Sequence, residues 1–184
     1  KERGGRVFER LAAAESKVHC LPPEKLHFHE LGAIDTIIDI MGAVIGLELL
    51  GIEALYSSPL PSGSGTVSTE EGTLPVPAPA TLELIAMANA PLRVTTDPDF
   101  GELVTPTGAA IITTLASFES PSHILESIGY GVGTRDMPTL PNVLPLWIGQ
   151  LTPVTGGESD LILMETNIDD MSPELYGHVM ECLF

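Results

Sequence analysis

The run His27-Phe28-His29-Glu30-Leu31-Gly32-Ala33-Ile34-Asp35, continuing to Asp39, gathers two imidazoles and three carboxylates into one short apolar stretch. Such groups ligate metals. In an extended chain the period of two places His27 and His29 on one face. With a helix from Thr36 onward, Asp35 and Asp39 lie one turn apart near its start. Imidazole nitrogen suits nickel, zinc, copper or iron, whereas carboxylate oxygen alone suits magnesium or calcium, so the mixture favours a borderline transition metal. A solvated loop running into a helix with an acidic first turn, as the helix dipole favours, accounts for the same residues without a metal.

A second acidic cluster lies near the other end. Glu165 to Glu174 reads as a strand end, the pair Asp169-Asp170, and a helix start with Ser172 as N-cap and Pro173 at the first position. Carboxylates at the C-terminal end of a strand are placed to hold a hard divalent ion, which in turn holds phosphates. A turn that merely stabilises the helix terminus is an equal alternative. Gly129 to Asp136 sets the flexible N–H groups of Gly131 and Gly133 before the guanidinium of Arg135, a pairing able to cradle an anion. Its order differs from the dinucleotide and P-loop fingerprints, and a plain hairpin connection is the simpler reading. Thr105-Pro106-Thr107-Gly108 offers a capping hydroxyl and a proline at the first helical position. That start is a further candidate anion site at Thr105 and Thr107, with ordinary capping the safer reading. His178 and Cys182, four apart on the final predicted helix, could share a metal, but no second pair accompanies them. His19 and His123 read as structural, and no nucleophile elbow or Cys-His dyad is present.

The elements that must position these groups follow from spacing. Arg6 to Val18 has the pattern of an amphipathic helix, stopped by Leu21-Pro22-Pro23. Thr36 to Leu50 is nearly all apolar and reads as a buried core helix ended by Gly51, with Gly42 and Gly46 letting a neighbour approach. A short strand is expected at Ala54 to Ser58, then a loop, Pro59 to Gly65, whose glycines permit unusual backbone angles. Pro75 to Pro79 cannot be a central strand and should lead into a helix from about Ala80 to Ala88. The helix capped by Thr105 should run to about Ala116, and strands are plausible at 124–130, 143–149 and 161–167.

Composition narrows the functions. The 184 residues carry 8 Lys+Arg against 25 Asp+Glu, a formal charge of -17, which opposes binding to nucleic acid or an anionic membrane. A nucleoside triphosphate remains open if a cation escorts it. Hydrophobic content of 43% with 5% aromatic indicates a globular chain with an aliphatic core. Cys20 and Cys182 form no CxxC pattern, so no disulfide framework is indicated and a reducing cytoplasm fits. Asp35, Asp39 and Glu48 interrupt the most apolar run, which is neither signal peptide nor membrane span. A chain that begins at Lys1 and stops at Phe184 within a predicted helix reads as a fragment.

Taken together the blocks HFHELGAIDTIIDIMGA (27–43), YSSPLPSGSGTV (56–67), GTLPVPAPAT (72–81), GELVTPTGAAI (101–111), GYGVGTRD (129–136) and ETNIDDMSPE (165–174) resemble, in that order, the nickel-insertion family of lactate racemase cofactor biosynthesis. The resemblance covers nearly the whole chain. It implies insertion of Ni2+ into a pyridinium-3,5-bisthiocarboxylic acid mononucleotide, with CTP hydrolysed to CMP and pyrophosphate in the presence of Mg2+ or Mn2+, to give a nickel-pincer cofactor. By motif it assigns His27, His29 and Glu30 to incoming nickel, with Asp35 and Asp39 completing or orienting the site. It places Asp169 and Asp170 in the segment that opens a CTP domain. It also implies a further N-terminal segment before Lys1 and a complete nucleotide domain after the linker. Pro145 departs from the family pattern, which commonly has arginine there, and this puts any anion contact from that position in doubt.

The expectation is therefore an α+β or mixed α/β protein. A main domain spans 1–150, a linker 151–159, and a truncated nucleotide-binding domain 160–184. The activity expected is that of a lyase-class, CTP-dependent metal chelatase, the fragment alone being inactive. A nickel carrier without catalysis and a metal-dependent phosphohydrolase using Asp169 and Asp170 are the alternatives. Oligomeric state stays open, a homo-oligomer included.

Overall fold

A computed structural model describes residues 2–26, 34–69, 72–95, 100–135, 137 and 141–152. The chain divides after Thr152 into two compact units. The second, 153–184, lies outside the described residues, and with it the expected strand 161–167 and the helix bearing His178 and Cys182.

The first unit is α+β. Helix α1, Glu2–His19, is longer than its sequence pattern at both ends. Val7, Leu11 and Ala14 recur at helical spacing and are buried completely or nearly so. Ahead of the prolines, Cys20 takes a left-handed conformation (φ 53°), and the Leu21 N–H donates to the Ser16 carbonyl, closing the helix. Helix α2, Ile34–Leu49, ends as expected, with Gly51 at φ 67°.

Helix α3, Pro79–Met87, follows the proline-rich segment, and helix α4, Pro106–Leu115, follows Thr105. Leu84 of α3 and Ala109 and Ala110 of α4 close on Val7, Leu11 and Ala14 of α1 and Ile40 of α2 to form the main core. Alanines at the contact let α4 lie close to α1. A smaller cluster joins Leu60, Ile85 and Ala90, with Ile112 and Phe118 packed on it.

The described strands form four separate pairs. Strands β1, Leu55–Tyr56, and β6, Ala116–Ser117, pair in parallel, as do β2, Leu60–Pro61, and β5, Leu92–Arg93. Strands β3, Thr66–Thr69, and β4, Gly72–Pro75, form an antiparallel hairpin that the sequence reading did not anticipate. Its β-branched residues favour extended backbone, but the Gly-Ser-Gly before them masked that signal.

Strands β7, His123–Val132, and β8, Val143–Leu151, form a long antiparallel ribbon, with a bulge between Leu125 and Ser127. Gln150 donates to the carboxylate of Glu126, the extra residue in the bulge, at 2.7 Å. Pro145 lies opposite Tyr130, and among the described strands β8 pairs with β7 alone, an edge position of the kind that accommodates a residue without an N–H.

One expectation fails. Helix α2 is not a buried core helix: only Thr36, Ile40 and Val44 are buried, and Ile34, Ile38 and Leu49 are exposed. Within the first unit, α1 and α4 pack on one side of it, so composition overstated its burial.

Candidate functional site

Three of the segments singled out by sequence meet in one cluster of loops. The first is Pro61 to Gly65, which leaves β2 and carries Gly63 at φ 71° and Gly65 at φ 81°. A Cβ on Gly63 would strike the Gly101 carbonyl and the Val76 side chain, so this position demands glycine both for its backbone angle and for the approach of its neighbours. The loop is tied down by polar groups. Ser62, 8% exposed, donates to the Gly63 carbonyl at 2.9 Å and accepts from the Thr95 N–H at 2.9 Å. The Thr95 hydroxyl also donates to the Gly63 carbonyl, at 2.8 Å. The Ser64 N–H reaches the Gly101 carbonyl at 3.1 Å, joining the loop to the segment that leads into α4.

The second segment, Gly101 to Thr105, ends at the start of α4. The Thr105 hydroxyl accepts from the Gly108 N–H at 3.2 Å, the capping geometry read from the sequence, and Pro106 occupies the first helical position. Thr107 is half-buried in that first turn.

The third segment is the end of β7. Gly131 lies within the ribbon, opposite Leu144, and the Gly133 N–H donates to the Asn142 carbonyl at 2.9 Å. Both glycines thus serve the hairpin, as the simpler sequence reading had it. Arg135 instead reaches across to the second segment and donates to the carbonyls of Phe100 and Glu102, with its guanidinium against Gly101. Asn142 in turn donates to the Arg135 carbonyl at 3.1 Å. The guanidinium is exposed, and it sits beside the backbone three residues before the α4 cap.

The metal candidates are distributed differently. Asp35 and Asp39 occupy the first turns of α2, both exposed, with Asp35 Oδ1 accepting from the Thr36 N–H at 2.7 Å. Their carboxylates face outward, directly after 27–33. His27, His29, Glu30, Asp169 and Asp170 lie outside the described residues. Among the described residues no group of three or more His, Cys, Asp or Glu is arranged to hold a metal ion.

The two histidines read as structural are exposed, and each makes a local contact. His19 pairs with Glu15 at 3.3 Å, and His123 lies 3.1 Å from the Pro121 carbonyl. Cys20 is a free, exposed thiol. No described helix is long and apolar enough to cross a membrane.

Sequence reading missed Ser62 and Thr95 as the fasteners of the glycine-rich loop. The available signal was a serine between proline and glycine, a polar residue hemmed in by backbone. Their partners are 32 and 33 positions apart in the chain, a pairing that only the fold supplies.

The site defines an α+β protein with a glycine-rich loop cluster beside a capped helix start, preceded in the chain by an acidic helix N-terminus. Its class is settled by comparison: the family model described as nickel insertion protein matches residues 1–184, and the chain belongs to that family. A protein of Dictyoglomus thermophilum is 50% identical over 186 residues, covering 100% of this chain and 47% of its own length. The pyridinium-3,5-bisthiocarboxylic acid mononucleotide nickel insertion proteins of Thermotoga sp. (strain RQ2) and Thermotoga petrophila are each 50% identical, covering 100% of this chain and 44% and 45% of their own lengths. The chain thus spans about half the length of the curated relatives it matches. No solved structure matches it.

Proposed function

We propose that this chain is part of a chelatase that inserts Ni2+ into pyridinium-3,5-bisthiocarboxylic acid mononucleotide. The observation that carries the reading is the 50% identity, over the whole of this chain, to relatives named for that insertion. Nickel is the substrate metal. His27, His29 and Glu30 take it up, and the outward carboxylates of Asp35 and Asp39 on α2 complete or orient the site. Mixed imidazole and carboxylate ligands hold nickel less tightly than thiolates, which lets it pass to the sulfur atoms of the acceptor.

Transfer to the pyridinium carbon also requires loss of a ring proton, for which a neutral imidazole or a carboxylate of this set is the base. CTP, escorted by Mg2+ or Mn2+, is hydrolysed during the cycle, and Asp169 and Asp170 hold the metal that bridges its phosphates. The exposed guanidinium of Arg135 and the α4 start at Thr105 and Thr107 are the anion contacts for the mononucleotide, supported by their placement around one loop cluster. The reaction belongs to a reducing cytoplasm, where thiocarboxylates persist.

The test incubates a full-length family protein carrying these residues with precursor, Ni2+, CTP and Mg2+, and reads the nickelated product by mass. Product that requires all four components supports the assignment. Nickel transfer without nucleotide turnover would reduce the protein to a carrier, and CTP turnover without nickel or precursor would make it a phosphohydrolase.

A further inference from the structure

Helix α2 is apolar on nearly every side but buried on one only. Thr36, Ile40 and Val44 face the core, while Ile34, Ile38, Ile45 and Leu49 are 75%, 63%, 47% and 84% exposed. At 3.6 residues per turn those four and Gly42 fall within a stripe about 80° wide, on the side away from the core. Nothing lies within 4 Å of where a Cβ on Gly42 would sit, so the middle of the stripe admits a closely approaching backbone. An ordinary surface helix turns charged and polar residues outward, and a helix apolar all round is one covered on both sides.

We propose that this stripe of α2 is a docking face for a part of the longer family polypeptide outside the matched 184 residues, packed on it in cis. The inference rests on membership of the family, not on the nickel chemistry. Length supplies the occupant: just over half of the Dictyoglomus thermophilum relative lies outside the match.

Area points the same way. The four side chains expose roughly 500 Å², as much as the largest patch a monomer usually leaves open, but less than the roughly 800 Å² per partner of a standard complex between separate molecules. That size fits packing within one molecule.

Charge argues against a second copy. Asp35 and Asp39 border the stripe on one side and Glu48 on the other, all exposed, and the chain carries a formal charge of -17. Two α2 helices laid together would set carboxylate against carboxylate, whereas a segment of different sequence need not.

The test uses single cysteines. Ile38→Cys, Leu49→Cys and, as an exposed control on α1, Glu9→Cys are made in this chain with Cys20→Ser and Cys182→Ser. The matching substitutions are made in a cysteine-free version of the full-length Dictyoglomus thermophilum protein, and maleimide labelling rates are compared. The expected result is rapid labelling at all three sites in the 184-residue chain. In the long protein, positions 38 and 49 should label at least tenfold more slowly than position 9, and stay slow on dilution. Equal rates in the long protein would overturn the proposal, as would protection that vanishes on dilution, which would mean a second copy, or slow labelling already in the shorter chain. Should the shorter chain fail to fold, as judged by circular dichroism, the ratio between sites within the long protein decides alone. Nickel transfer is not needed for any readout, so failure of the chelatase reading leaves this test intact.

Discussion

Arg10 on α1 donates to the carbonyl of Thr113 on α4 at 2.9 Å, joining positions 103 apart in the chain. The acceptor lies in the last turn of α4, where carbonyls lack helical partners and the dipole favours a cation. Arg6 lies beside the next carbonyl, that of Thr114, at 3.5 Å. Two turns of α1 thus cap the end of a helix whose own sequence offers no basic residue there. Arg10→Ala should destabilise the chain by about 1 to 2 kcal/mol, with Arg10→Lys retaining part of it. Urea unfolding followed by circular dichroism is the measurement, and an unchanged midpoint would refute the capping role.

Leu84 and Leu49 make a matched pair of tests. Leu84 is fully buried between α1 and α4, whereas Leu49 is 84% exposed at the end of α2. Leu84→Ala should cost about 2 to 5 kcal/mol. Leu49→Ala in the same chain should stay within about 0.5 kcal/mol. A comparable loss at both positions would mean that the main core is misplaced.

Gly63 and Gly5 should respond with opposite signs to the same change. Gly63→Ala forces a side chain into φ 71° and against the Gly101 carbonyl, a loss of more than about 1 kcal/mol. Gly5 sits on an open part of α1 with nothing within 4 Å of a Cβ, so Gly5→Ala should gain about 0.5 to 1 kcal/mol. Thermal midpoints of the two variants check this, and stabilisation by Gly63→Ala would remove the loop geometry from which the site is built.

Nickel capture is tested in full-length family protein carrying these residues. Replacing both His27 and His29 by alanine should abolish nickel transfer in a folded protein. Asp35→Asn together with Asp39→Asn should weaken nickel binding about 10- to 100-fold, the range for groups that support a metal site. The nickelated product read by mass checks the first and calorimetric titration with nickel the second. Unchanged affinity and transfer in the folded His variant would displace the site from this segment, and unchanged affinity in the Asp variant would remove Asp35 and Asp39 from it.

CTP binding should depend on a divalent cation. The chain has 25 Asp+Glu and 8 Lys+Arg, so bare triphosphate meets like charge unless an ion bridges it to carboxylates such as Asp169 and Asp170. Calorimetry on full-length family protein carrying these residues, with and without Mg2+, should show binding only with the metal, lost in the Asp169→Asn, Asp170→Asn double variant. Equal affinity after complete chelation would refute the bridge.

Local signals were legible in the sequence by itself. The α1 stripe of Val7, Leu11 and Ala14, the cap of Thr105 before Pro106, the stop at Gly51 and the proline-led start of α3 depend on contacts within a few residues, where spacing dictates geometry. The ordered motif blocks likewise carried the family. Tertiary structure decided what distance along the chain conceals: that Ser62 finds Thr95, that Arg135 turns from the ribbon to the Phe100 and Glu102 carbonyls, and that α4 ends on the arginines of α1. It also decided that α2 meets the described core on one side only. Composition records how apolar a helix is, whereas burial depends on which neighbours the fold brings to each face.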